Sequence, residues 1–290
     1  MKILVLGGNG MVGHYLLSGL QKRHDVKATF KQPWPSYTNL KGLDAKDTFI
    51  GCDVRHFQHV EKIMQEFIPD AVINAIGVTK QLVDKRGLED TIDINALFPH
   101  RLANLCETHV SRLIQLSSDC IFSGAKGAYT EDDISDAKDV YGCTKFLGEV
   151  DADHVVTLRK STIGLELTGA HGLVEWFLSQ TGEIKGFNNA IYSGLITEEL
   201  VRVIELILLD IPSMSGIWNV AGPPISKYHL LTQLQEEIQK NDVVITRDET
   251  FFCDRSLDGS RFERETGYTP PDWSKMIQTL GHEIRLRNNT

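Results

Sequence analysis

The chain has 290 residues, enough for one large domain or a large domain with a smaller appendage. Its formal net charge of -9 disfavours nonspecific nucleic-acid binding, which needs a basic surface, yet permits an anionic nucleotide held by a few amides and cations. Five scattered cysteines (Cys52, Cys106, Cys120, Cys143 and Cys253) without a CxxC pair argue against a disulfide framework or a zinc site and for a reducing cytoplasm, and no apolar run approaches the ~18 residues of a membrane span.

The apolar run Ile3-Leu4-Val5-Leu6 marks a first strand over residues 2–6; it is too short for a signal peptide, and Gly7 and Gly8 end it. Gly7-Gly8-Asn9-Gly10-Met11-Val12-Gly13 follows, with Gly7, Gly10 and Gly13 in a GxxGxxG spacing, and then opens an amphipathic stretch over 11–21. A glycine turn between strand and helix lets backbone approach a pyrophosphate while the helix N-terminus offers free N–H groups. Gly7, Asn9, Gly10, Met11 and Val12 are therefore candidate cofactor contacts.

A second strand over 26–30 ends in Ala28-Thr29-Phe30-Lys31, without the acid that commonly binds the ribose hydroxyls of NAD. Lys31 instead favours a 2′-phosphate, hence NADPH, with NADH as the alternative. Pro33-Trp34-Pro35 reads as an irregular excursion. A third strand over 49–52 delivers Asp53 and Val54 toward the adenine edge; a turn-capping role for Asp53 is equally compatible. After a fourth strand over 71–74, the small or slender residues Ala75, Ile76 and Gly77 leave room for ribose and nicotinamide. Amphipathic stretches over 56–67 and 88–107 and strands over 112–117 and 155–159 complete an alternating pattern. Such alternation with buried strands specifies an α/β class, a Rossmann-type doubly wound parallel sheet over residues 1–160.

The fifth strand ends in Leu116-Ser117-Ser118-Asp119, where a hydroxyl could polarise a carbonyl; Ser118 is the first candidate and Ser117 the second. Tyr141-Gly142-Cys143-Thr144-Lys145 follows 23 residues after Ser118. Tyr141 and Lys145, four apart, share a helix face, and an ammonium together with an oxidised nicotinamide would draw the tyrosine pKa down toward neutrality. Ser118, Tyr141 and Lys145 form the candidate catalytic set.

Beyond residue 160 glycine, proline and loops increase. Thr197 and Ser226 look like N-caps before helices over 198–209 and 227–240, and 216–220 and 243–246 read as short strands. This second region, 161–290, reads as a smaller C-terminal α/β substrate lobe over the sheet's C-terminal edge, with segments free to interleave.

Together these motifs resemble the extended short-chain dehydrogenase/reductase family, and within it the dTDP-4-dehydrorhamnose reductase branch. The resemblance rests on Gly7 to Gly13, Asp53-Val54, Asn74-Ala75-Ile76-Gly77, Asn95, Ser117-Ser118-Asp119-Cys120-Ile121-Phe122-Ser123-Gly124, Tyr129-Thr130-Glu131, the run from Val140 to Glu149 around Tyr141, Arg159, and Asp254-Arg255-Ser256-Leu257-Asp258. It implies NAD(P)H-dependent reduction at C4 of a nucleotide-linked 4-keto-6-deoxy sugar, in deoxysugar biosynthesis for surface polysaccharide. Tyr141 would protonate the developing alkoxide, Lys145 would hold the ribose, Ser118 would bind the oxygen, and Asn95 would shape a helix kink beside the cofactor.

The chain departs from the branch at three places. Cys120 stands where the branch commonly has tyrosine. Thr162 stands where it often has an aromatic, which makes the pocket roomier or more polar. Gly13-His14-Tyr15 offers no acid for the branch's magnesium variant, so no metal is expected. Asp119, Cys120, Thr162 and Arg255 join Ser118 as candidate substrate contacts, with Arg255 and Lys185 considered for the pyrophosphate. A roomier pocket leans toward UDP-2-acetamido-2,6-dideoxy-4-hexulose over dTDP-4-dehydro-L-rhamnose. A homodimer is compatible with the resemblance. The alternatives are a nucleotide-sugar epimerase with tightly bound NAD, or a non-catalytic dinucleotide-binding regulatory subunit.

Overall fold

The computed structural model describes residues 1–33, 45–167 and 169–288; Trp34 and Pro35 of the expected excursion lie outside the described residues. Among the described residues the strands are β1 (Lys2–Leu6), β2 (Asp25–Phe30), β3 (Thr48–Ile50), β4 (Ala71–Asn74), β5 (Arg112–Leu116), β6 (Val155–Lys160), β7 (Thr162–Ile163), β8 (Gly182–Tyr192), β9 (Leu195–Ile196), β10 (Gly216–Val220), β11 (Ile225–Ser226) and β12 (Val243–Asp254). Seven of them form a parallel sheet in the order β10-β6-β5-β4-β1-β2-β3. The order reverses between β1 and β4, and in such sheets ligands bind at the carboxyl ends of the strands beside the reversal.

Successive residues of a strand face opposite sides of the sheet, so two apolar cores are built from the same short runs. Ile3, Val5, Ile73, Ile114 and Val156 face one core, and Leu4, Val72, Leu113 and Val155 face the other. Helices Met11–Leu20 and Thr197–Leu209 cover the first face, with Gly19 directly under Val201. Helices Gln58–Phe67 and Phe98–Thr108 contribute to the second.

The turn after β1 needs glycine at two places. Gly7 has φ +86°, a backbone state that costs an L side chain strain. Gly13 lies against the Gly7 carbonyl, where a Cβ would collide with the oxygen. Helix Met11–Leu20 can therefore start hard against the end of β1, with Gly10 in the extended cap position.

The second region interleaves with the first. Beyond residue 160 the chain returns to place β10 beside β6 and helix Thr197–Leu209 over helix Met11–Leu20. A separate three-stranded sheet, β11-β8-β12, overhangs the carboxyl edge of the main sheet and contributes to its cavity. Ser226 caps helix Lys227–Ile238 by accepting from the His229 amide at 3.2 Å. Thr197 is not a cap: it is the first residue of its helix, Ile196 holds the cap position, and no side-chain cap bond forms. The expected strand over 243–246 is the start of the 12-residue β12, paired in parallel with β8.

The helical stretch after β4 is not continuous. Leu88–Ile92 passes into a π-helical turn at Asp93–Leu97 before Phe98–Thr108 resumes. Asn95 sits buried inside that turn. Inserted turns of this kind recur at functional sites.

Candidate active site

A cavity of about 850 Å³ runs along the carboxyl edge of the main sheet. Lys31 and Asp53 line one end, Gly7 to Met11 the middle except Gly8, and Ser118, Tyr141, Tyr192 and Arg255 the other.

At the first end Lys31 Nζ lies 3.0 Å from Asp53 Oδ2, and Arg55 meets the same carboxylate at 2.6 Å. Arg55 first, and Lys31 after it, hold the Asp53 carboxyl well below the usual carboxylate range. Val54, Ala75, Ile76 and Gly77 line the cavity beside this cluster. Asn74 shapes their loop, accepting from the Ile76 amide at 3.2 Å and donating to Gln115 at 2.8 Å. Val12 packs instead against the core.

Asn95 does not line the cavity. Its Oδ1 accepts from the Val78 amide at 2.8 Å, and its Nδ2 donates to the Val78 carbonyl at 3.0 Å and to Thr144 Oγ1 at 3.3 Å. It clamps the loop after β4 to the helix that carries Tyr141, so the cofactor contact expected of it becomes a supporting role.

That helix, Val140–Leu147, starts at Asp139, whose carboxylate accepts from the Gly142 amide at 2.9 Å and pairs with Lys80 at 3.0 Å. The cap fixes the first turn, and with it Tyr141. Ser118 lines the same cavity as Tyr141. The Ser118 hydroxyl donates to Asp119 at 3.1 Å and accepts from the Cys120 amide at 3.1 Å. Ser117 points away from the cavity and donates to Glu149 at 2.6 Å.

Electrostatics here follow burial. Burial raises the Tyr141 pKa above its ordinary value, with the Cys120 thiol, Asp119 and Asp139 adding to the effect and the Ser118 hydroxyl opposing it. In the protein alone this reverses the downward shift expected from Lys145, and it keeps the phenol protonated. Lys145 is buried beneath the site and donates to the Leu116 carbonyl at 2.6 Å. Burial and then Lys160 press its pKa down to about 8, against Glu149. Burial pushes the Asp119 carboxyl up against Arg255, and pushes the Cys120 thiol up to about 12.

Asp119, Cys120, Thr162 and Arg255 all line the cavity. The Thr162 hydroxyl is buried without a hydrogen-bond partner among the described residues. Arg255 donates through Nε to the Phe122 carbonyl at 2.8 Å. Lys185 does not line the cavity; it is exposed and pairs with Asp248 at 2.9 Å. Among the lining residues that escaped sequence reasoning are Lys160, Glu166, Tyr192 and Lys227. A charge closing a buried strand was the available signal for Lys160. The others come from a loop, a strand and a helix start whose path across the cavity the sequence does not reveal.

The dTDP-4-dehydrorhamnose reductase of Aggregatibacter actinomycetemcomitans is 25% identical over 310 aligned residues, covering 96% of this chain and 98% of that protein. The methionine adenosyltransferase 2 subunit beta of Mus musculus is 24% identical over 150 residues, 51% of this chain and 41% of that one. Among solved structures, the dTDP-4-dehydrorhamnose reductase of Bacillus anthracis str. Ames in complex with NADP superposes with a TM-score of 0.78 at 19% identity, covering 97% of this chain and 99% of that one. The family model described as RmlD substrate binding domain matches residues 1–163, the segment that carries the glycine turn, Ser118, Tyr141 and Lys145, and the chain belongs to that family.

Proposed function

We propose that the protein reduces the C4 keto group of a nucleotide-linked 4-keto-6-deoxy sugar, using NADPH. The observation that carries this reading is the placement of Ser118 and Tyr141 on the same cavity as the glycine turn, above the buried Lys145.

The residues fit a nicotinamide dinucleotide. The start of helix Met11–Leu20 has no acid in its first turn and a glycine cap without a side chain, so its N–H groups are open to a pyrophosphate. Lys31 and Arg55 supply cations for a 2′-phosphate at the Asp53 end. When bound, the reduced nicotinamide supplies hydride to the keto carbon.

The chain's own groups handle the oxygen. Ser118 holds the carbonyl oxygen by hydrogen bonding and favours the charge that develops on it. The Tyr141 O–H bond breaks as its proton passes to that oxygen, leaving the electron pair on the phenol oxygen. A raised phenol pKa suits this role, because the group arrives protonated. Lys145 then favours the phenolate as it forms.

Cys120 and Thr162 support the larger of the two sugars considered, UDP-2-acetamido-2,6-dideoxy-4-hexulose, over dTDP-4-dehydro-L-rhamnose. The test is NADPH oxidation with each sugar, with Tyr141→Phe as control. Turnover that falls by about a thousandfold in the variant supports the reductase. The partial match to subunit beta of methionine adenosyltransferase 2 favours a second reading, a regulatory subunit that binds dinucleotide without turnover. Tight NADPH binding with no turnover of either sugar would move the assignment there.

A further inference from the structure

Lys160 closes β6 and lines the cavity alongside Ser118, Asp119, Cys120 and Tyr141. Its ammonium makes no hydrogen bond or ion pair to any described residue, although Asp119 lies within electrostatic reach. Three other cations of the cavity wall are engaged, Lys31 with Asp53, Lys80 with Asp139, and Arg255 with the Phe122 carbonyl; Lys227 and Arg86 also line the wall, but Lys160 is the one that shares the stretch carrying Ser118 and Asp119. An ammonium placed deep in a protein without a hydrogen-bond acceptor is costly, and such a group persists where a ligand supplies the acceptor.

Its place in the cavity says which part of a ligand that is. Tyr141, Ser118, Asp119, Cys120 and Lys160 line the same cavity, and the Ser118 hydroxyl donates to Asp119, so Lys160 and Asp119 share the wall beside the residues that meet the reacting oxygen. Lys160 therefore meets a substituent near the reacting carbon and not the carbonyl itself. Asp119 supplies an acceptor and Lys160 a donor. With Arg255 nearby, the cations around Asp119 outnumber it.

From this we propose that Lys160 and Asp119 form a subsite for an N-acyl substituent on the sugar ring, the ammonium donating to the acyl oxygen and the carboxylate accepting from the amide N–H. A ring hydroxyl is a weaker acceptor and leaves the ammonium poorly satisfied. The neighbouring Cys120 and Thr162 leave volume for the acyl group. Lys160 is then a specificity residue, and the inference rests on the nucleotide-sugar reading above.

The test is binding, which does not require turnover. Calorimetry on the NADPH-loaded protein would compare UDP-N-acetylglucosamine with UDP-glucose, and the corresponding dTDP-linked pair, in wild type and Lys160→Met. We expect wild type to bind the N-acetylated member about ten- to a hundredfold more tightly, the range of one hydrogen bond to a charged group. Lys160→Met should bring the two members within about threefold by weakening only the N-acetylated one. Equal weakening of both members, or of neither, would overturn the subsite. Failure of wild type to bind any of the four would overturn the substrate class itself. An unchanged NADPH affinity and a thermal midpoint no lower than wild type in Lys160→Met separate a lost contact from a lost fold.

Discussion

Ser117 and Ser118 are neighbours with hydroxyls in different networks. Ser118 faces the cavity that Tyr141 also lines and donates to Asp119, whereas Ser117 faces inward and donates to Glu149, which is itself paired with Arg159 at 2.8 Å. Ser118→Ala should lower kcat by about a hundredfold, the cost of losing one donor to a developing oxyanion, with little change in thermal stability. Ser117→Ala should do the reverse, costing about 1–2 kcal/mol because Glu149 loses a buried partner, with kcat within about threefold. Steady-state kinetics and thermal melts on both variants check the division. Equal kinetic losses would refute it.

Lys145 carries a pH signature. Its folded pKa, about 8, lies below the ordinary lysine value of 10.5 because burial penalises the charge. The unfolded chain therefore binds more protons between those values, and stability from this residue rises with pH across that window. Below pH 8 the penalty is fully present. Lys145→Met should accordingly raise the melting temperature at pH 7, with a gain that shrinks as pH approaches 10.5, while activity is lost. A gain constant over that range would show that the ammonium is not the source.

Asn95 should affect cofactor binding without touching the cofactor. Asn95→Ala removes three hydrogen bonds and frees the Val78 amide and carbonyl. The expected cost is about 2–4 kcal/mol in denaturant unfolding, with KM for NADPH raised about tenfold and a smaller change in kcat. An unaltered KM would confine Asn95 to helix geometry.

Lys31 should distinguish the two nicotinamide cofactors. Lys31→Ala removes a cation from the Asp53 end, so KM for NADPH should rise by about tenfold or more while KM for NADH changes little. Equal effects on both cofactors would mean that the residue serves only to hold Asp53.

Much of the main sheet is legible because its strands are short apolar runs between helical patterns, and buried parallel strands have that character. The overhanging sheet is not. β8 carries Gly182, Gly186, Asn188 and Asn189, residues poor in strand propensity, and much of β12 is exposed. Local pattern cannot show that two such segments pair 60 residues apart. The site divides the same way. Ser118, Tyr141 and Lys145 stand at fixed distances from recognisable strand ends. Lys160, Tyr192 and Lys227 become neighbours of the cavity only through tertiary packing. Tyr141 also shows why spacing does not give electrostatics, since burial outweighs the helix neighbour four residues away.

The place of β10 has a consequence for how the molecule is made. The edge partner of β6 arrives some 55 residues after it, and helix Thr197–Leu209 comes with it to cover Gly19 on the first helix. A fragment cut after residue 163, where the family match ends, would keep every catalytic group yet leave β6 as an open edge and one apolar face half bare. Such an edge invites intermolecular pairing. During synthesis the nascent chain must wait for its last third before the sheet is sealed, so the limit of the shared family segment is not a limit of independent folding.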